Sequence, residues 1–184
     1  MHPFFKEFHI DGVKGLAIFP YKNKVKDMIY QLKGCNDYEM KYVFLSMFKK
    51  ELKTRYKNYI LIPSPSHKNA YEERGFNQVV EIFSLLGLPY LELLEKTEDI
   101  SQHNLGFKER IQVSKIIKLA KKVDLTGKKV LLVDDIVTTG STIKSSINLI
   151  RELNPKMIEI LVVAKTEFTP EEKSKLDENY PILD

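Results

Sequence analysis

Apolar side chains at Val25, Met28, Ile29 and Leu32 recur at the i, i+3, i+4, i+7 spacing of a helix face, and Met40, Val43, Phe44, Met47, Phe48, Leu52 and Tyr56 continue it. Two amphipathic helices are therefore predicted ahead of Tyr59-Ile60-Leu61-Ile62, a short apolar run that reads as the first core strand. Residues 12–19 fit a short strand before those helices. Downstream, a helix over 76–86 ends at the breakers Gly87 and Pro89, residues 90–94 read as a strand, and 95–107 as a polar loop. Residues 108–114 are predicted helical, and 115–119 fit either period. A strand over 129–133 precedes a helix over 141–153 with Ile143, Ile147 and Ile150 inward; Pro155 marks its break, and 157–164 form the last apolar strand. Thr169-Pro170-Glu171-Glu172 has the cap, proline and acids of a helix start. Strands alternating with helices imply right-handed crossovers and a Rossmann-like parallel sheet flanked by helices on both faces, an α/β fold. The 184 residues suffice for one such domain: an amino-terminal part over 1–57, a core over 58–168 and a short tail over 169–184. The amino-terminal part is either a small cap over the sheet edge or a cover for one sheet face.

No apolar run approaches the length of a membrane span, so no membrane insertion is expected, and the amino terminus lacks the regions of a signal peptide. Both point to the cytoplasm, where the lone Cys35 stays reduced. Net charge is +4, and the excess is concentrated in lysine runs at 49–57 and 115–129. Such runs are either a solvated face or a surface for a nucleic-acid backbone, and they would equally draw in a polyanionic small molecule. His2, His9, His67 and His103 show no paired metal spacing, and with one cysteine no structural zinc site is expected.

The chemistry concentrates in Val130-Leu131-Leu132-Val133-Asp134-Asp135-Ile136-Val137-Thr138-Thr139-Gly140-Ser141-Thr142. A buried strand leads to two carboxylates, and a hydroxyl-rich turn through Gly140 opens a helix. In open α/β sheets ligands sit outside the carboxyl ends of strands, and a helix amino terminus offers N–H groups and positive dipole to a phosphate. No Gly-Lys-Ser/Thr follows the strand and no G-x-G-x-x-G is present, which excludes a Walker loop and a dinucleotide fingerprint.

All thirteen positions resemble the phosphoribosyl-pyrophosphate (PRPP) motif of type I phosphoribosyltransferases. A second block, Pro63-Ser64-Pro65-Ser66-His67 followed by Arg74-Gly75-Phe76-Asn77-Gln78, resembles the P-x-P-x-H and R-G-F-N-Q signature of ComF proteins, phosphoribosyltransferase homologues tied to bacterial competence. The resemblance spans residues 25–165. It departs from the family in lacking the usual four-cysteine zinc module, in Ser64 and Ser66 where apolar residues are usual, and in Val113 where asparagine is usual.

The resemblance implies a type I phosphoribosyltransferase fold and a ligand, PRPP, carried with Mg2+. Asp134 and Asp135 would hold the ribose hydroxyls and, directly or through water, favour the metal-bound ligand. Thr138, Thr139, Gly140, Ser141 and Thr142 would cradle the 5′-phosphate. Ser64, Ser66, His67, Lys68 and Arg74 are candidates for the diphosphate, Arg74 through its planar fork. Asn77 and Gln78 either serve the ligand or secure their helix against the loop. Gln102 and Arg110 lie in the segment where type I enzymes carry a mobile loop. Lys165 ends the last strand near the place of a base-contacting lysine in purine-using relatives, although edge structure is the plainer account. The implied function is a PRPP-binding, phosphoribosyltransferase-like protein of bacterial competence, DNA uptake and transformation, whether or not it turns over. The alternatives are a non-catalytic PRPP-sensing regulator acting on a competence or DNA-processing protein, a single-stranded-DNA-binding factor, or a nucleobase phosphoribosyltransferase. The acceptor and the oligomeric state have no signal in the sequence.

Overall fold

The computed structural model describes residues 5–34, 44–65, 77–96 and 117–167. The chain enters as a hairpin, β1 (Lys6–Ile10) and β2 (Val13–Pro20), then α1 (Asn23–Gly34), α2 (Lys49–Arg55), β3 (Tyr59–Pro63) and α3 (Gln78–Ser84). A short ribbon of β4 (Leu94–Lys96) and β5 (Ile117–Leu119) precedes β6 (Lys129–Val137), α4 (Ser141–Arg151) and β7 (Met157–Lys165). The main sheet has the order β1-β2-β7-β6-β3, parallel throughout except for β1. Among the described residues no helix is long and apolar enough to cross a membrane.

Strand alternation divides the core into two layers. Leu131 and Val133 of β6 and Leu161 and Val163 of β7 face a cluster built by Ile29, Phe44, Phe48, Leu52, Val79, Ile82 and Phe83. Val130, Leu132, Ile160 and Val162 face the other way, onto Ile143, Ile147 and Ile150 of α4. The central strands are buried on both faces, which is why they read as unbroken apolar runs. The helices of the amino-terminal part thus cover one sheet face, and β2 continues the sheet by pairing in parallel with β7.

Several boundaries differ from the sequence reading. Strand β1 was not expected; it is joined to β2 by Asp11 and Gly12, both in the left-handed region at φ 51 and 73, as a two-residue type I′ hairpin turn requires. Residues 90–94 do not form the predicted strand: Tyr90 makes an isolated parallel bridge to Leu61, and regular pairing begins at Leu94, antiparallel to β5. Strand β6 runs four residues beyond the predicted end at 133, because β7 continues beside it and supplies partners to Asp134, Ile136 and Val137. The predicted helix at 108–114 and the tail lie outside the described residues.

Candidate functional site

The extension of β6 makes the site. On one side its ladder with β3 stops at Pro63 opposite Val133, where the Ser64 N–H donates to the Val133 carbonyl over 2.8 Å. On the other side β7 accompanies it to Lys165, and the Thr166 N–H donates to the Val137 carbonyl over 2.9 Å. Asp134 and Asp135 therefore lie just past the end of β3, in a strand held from one side only. The helices that follow the two strands pack on opposite faces, α3 in one layer and α4 in the other. A crevice at the carboxyl ends of strands whose connections diverge in this way is the usual ligand position of an open α/β sheet.

Both acids are half-buried and ordered by local donors. The Asp135 N–H donates to Asp134 Oδ1 over 2.8 Å, and the Ile136 N–H donates to Asp135 Oδ1 over 2.6 Å. Gln78 Nε2 donates to the remaining oxygen, Asp135 Oδ2, over 3.1 Å. This contact joins the two sequence blocks across 57 residues. Asn77 forms the cap of α3, its Oδ1 accepting from the Val79 and Val80 N–H groups at 3.0 and 3.4 Å.

After Val137 the chain turns through Thr138 and Thr139 into Gly140, which adopts φ 84 and ψ 3 as the residue before α4. Gly140 as the N-cap residue brings no side-chain cap to α4, and the first N–H groups of a helix, which have no intrahelical acceptors, suit a solvent or ligand oxygen. Asp134 and residues 136–143 enclose a small concavity of about 50 Å³ there, rimmed by the exposed Thr138, Thr139 and Ser141. Thr139 Oγ1 and Ser141 Oγ stand 3.0 Å apart on this rim. A larger concavity of about 660 Å³, lined by Gly12, Arg151, Pro155 and Glu159 among others, lies at the opposite end of the strands, away from the acids.

Of the predicted site residues, Asp134 and residues 138–142 line this one concavity, and Asp135 follows Asp134 in β6 with its carboxylate on Gln78. Ser64 arrives beside them at the end of β3; it is only 3% exposed, and its Oγ has no hydrogen-bond partner among the described residues. Ser66, His67, Lys68, Arg74, Gln102 and Arg110 lie outside the described residues. The ribbon of β4 and β5 brackets residues 97–116, the segment that contains Gln102 and Arg110. Lys165 stands with Nζ 5.6 Å from the Phe8 ring centroid and 3.3 Å from the Thr166 carbonyl oxygen. Gln78, which from sequence alone fits either ligand contact or helix anchoring, is an inward amide on the face that also carries Val79 and Ile82, and that pattern is a legible signal. Ile10 carries no functional signal in the sequence, yet its side chain lies against Gly140. Among the described residues no three His, Cys, Asp or Glu side chains gather into a metal site.

The family model described as "Phosphoribosyl transferase domain" matches residues 72–182. The chain belongs to the phosphoribosyl transferase family. The competence protein ComFC of Streptococcus pneumoniae (strain ATCC BAA-255 / R6) is 37% identical over 145 residues, covering 79% of this chain and 65% of that protein. The chain is thus a ComFC-like protein of type I phosphoribosyltransferase fold. A ribose-phosphate pyrophosphokinase of Pyrococcus abyssi is 47% identical over 57 residues, 31% of this chain and 19% of its own length. The human hypoxanthine-guanine phosphoribosyltransferase is 48% identical over 44 residues, 23% of this chain and 20% of its own length. A solved hypoxanthine-guanine phosphoribosyltransferase from Bacillus anthracis matches with a TM-score of 0.46 at 15% identity, covering 74% of this chain and 72% of that one.

Proposed function

We propose that the crevice binds PRPP with Mg2+, the 5′-phosphate in the cradle of residues 138–142 and the ribose hydroxyls on Asp134 and Asp135. One observation carries this reading: the Asp134 carboxylate and the start of α4 share a single small concavity, with Asp135 next to Asp134 in β6, so anion donors and a hydroxyl acceptor stand next to each other. A ribose 5-phosphate unit presents these two chemistries at neighbouring positions. Ser64, with its buried hydroxyl at the end of β3, borders the side where a diphosphate on the anomeric carbon would lie. Ser66, His67, Lys68 and Arg74 continue the same turn in sequence, and Arg74 would add a bidentate anion contact.

Mg2+ prefers oxygen ligands and typically keeps water and substrate oxygens in its shell, so two carboxylates fit a supporting role rather than a full protein cage. It would neutralise charge on the departing diphosphate. The protein's own part is to hold the sugar and present the anomeric carbon while Asp134 and Asp135 face the positive charge that develops on the ring. The biological role we propose is in bacterial competence and DNA uptake, supported by the name of the Streptococcus pneumoniae relative.

The test is ligand-dependent stabilisation. At about one hundred times its dissociation constant, Mg-PRPP stabilises the native state by about 2.7 kcal/mol, which for a chain of this size raises Tm by about 5 to 11 °C. Asp134→Asn with Asp135→Asn is expected to abolish the shift while leaving the fold intact, because both acids are half-buried and neither belongs to either apolar layer. An undiminished shift in the folded double variant removes the ribose assignment. Release of pyrophosphate from bound PRPP in the presence of candidate acceptors separates a transferase from a sensor.

A further inference from the structure

The carboxylate of Asp135 is held at both ends. Its Oδ1 accepts from the Ile136 N–H within β6, and its Oδ2 accepts from the Gln78 side-chain amide at the start of α3. A carboxylate with a fixed donor on each oxygen cannot turn about its last torsion without breaking one of them, so its remaining lone pairs point in set directions. Gln78 is itself fixed: it is 7% exposed, it lies on the inward face of α3 with Val79, Ile82 and Phe83, and the Asn77 cap defines where the helix begins. A buried amide on an otherwise apolar face is costly unless it is satisfied, and here it is spent on an acid of the crevice.

We propose that Gln78 is a positioning residue that sets the Asp135 carboxylate for a ribose hydroxyl, and so makes the site select ribose over deoxyribose phosphates. The inference rests on the reading of the acidic pair as the ribose site. With Gln78 in place, one lone pair of Asp135 is aimed at the sugar before the ligand arrives. Without it, Oδ2 loses the Gln78 donor, and the hydroxyl must do more of the ordering of the carboxylate as it binds. The loss falls only on sugars that carry the hydroxyl Asp135 serves.

The experiment compares ribose 5-phosphate with its 2-deoxy and 3-deoxy analogues by calorimetry, on the wild-type chain and on Gln78→Met, which keeps the length of the side chain and removes the amide. The wild type is expected to prefer ribose 5-phosphate over at least one deoxy analogue. Gln78→Met is expected to lose about tenfold in affinity for ribose 5-phosphate, the order of one oriented hydrogen bond to a charged group. It is expected to bind unchanged the deoxy sugar that lacks the hydroxyl of Asp135. An equal loss for all three sugars makes Gln78 structural and overturns the proposal, as does no loss at all. A wild type that binds all three equally overturns the ribose reading itself, which is a separate failure. Should Gln78→Met fail to fold, Gln78→Leu, of similar volume and also without the amide, takes its place with Asp135 intact. The same loss confined to sugars that carry the hydroxyl is expected, and an equal loss for all three sugars or no loss overturns the proposal.

Discussion

Gly140 offers a test of how the phosphate cradle is built. Its φ of 84 lies in the left-handed region, where an L side chain costs about 1 to 2 kcal/mol. A Cβ added there would also stand 2.8 Å from Ile10 Cδ1 and 3.5 Å from Ile10 Cγ1. The first distance forces a movement and the second is ordinary contact. Because Cδ1 is the free end of a side chain, the steric part falls at the low end of overpacking costs, about 1 kcal/mol. Gly140→Ala is therefore expected to destabilise by about 2 to 3 kcal/mol, lowering Tm by about 4 to 12 °C. Ile10→Val removes the offending Cδ1 and on its own costs about 0.5 to 1.5 kcal/mol.

The double variant distinguishes the two causes. Removing Cδ1 relieves the clash and leaves the backbone penalty, so Gly140→Ala with Ile10→Val should cost about 1 kcal/mol less than the sum of the single changes. Thermal or urea unfolding of the four proteins measures this coupling, and the Mg-PRPP shift should be reduced in Gly140→Ala and partly restored in the double variant. Strict additivity, within about 0.5 kcal/mol, would refute the idea that the β1–β2 hairpin underlies the cradle through Ile10.

Two further outcomes are expected. Ser64→Ala deletes a buried hydroxyl that has no partner among the described residues, so Tm should hold or rise slightly; if that hydroxyl serves the diphosphate, PRPP affinity should fall while ribose 5-phosphate affinity stays, and equal affinities for both ligands in variant and wild type would remove Ser64 from the site. Burial pushes the Tyr56 phenol up to about 12, so the folded chain keeps a proton that the unfolded chain releases near pH 10. The stability this contributes is complete below pH 10 and is lost as pH rises through 12; Tyr56→Phe should lose less stability over that window in urea titrations, and parallel losses would contradict it.

The two apolar layers were legible because burial on both faces leaves β6 and β7 no polar alternation to confuse, and because Ile143, Ile147 and Ile150 keep a helical period against them. The hairpin was missed although its signal was present: Asp11-Gly12 is a strong two-residue turn, and Phe8 and Ile10 alternate with polar neighbours before it. The end of β6 was misplaced for another reason. Carboxylates discourage a strand on local propensity, and only the neighbour β7, whose pairing opposite Asp134, Ile136 and Val137 has no mark in the sequence around them, keeps the chain extended.

That same pairing explains why the site could be named in its parts and not in its assembly. The acidic pair and the hydroxyl turn are contiguous, so their chemistry is readable from one stretch of chain. Gln78 belongs to a different stretch, and its meaning depends on β3 lying beside β6, a fact of strand order. Because β3 stops opposite Val133 while β6 goes on, the end of β3 opens the crevice, and the helix that follows returns Gln78 to Asp135 across it. An inward amide in the first turn of an apolar helix is costly when it faces only hydrocarbon. Its presence in the sequence therefore argues for a polar partner in the facing layer, and the half-buried acid at the end of the neighbouring strand supplies one. Local patterns thus reveal which groups the site contains, and the unequal lengths of neighbouring strands determine which of those groups meet.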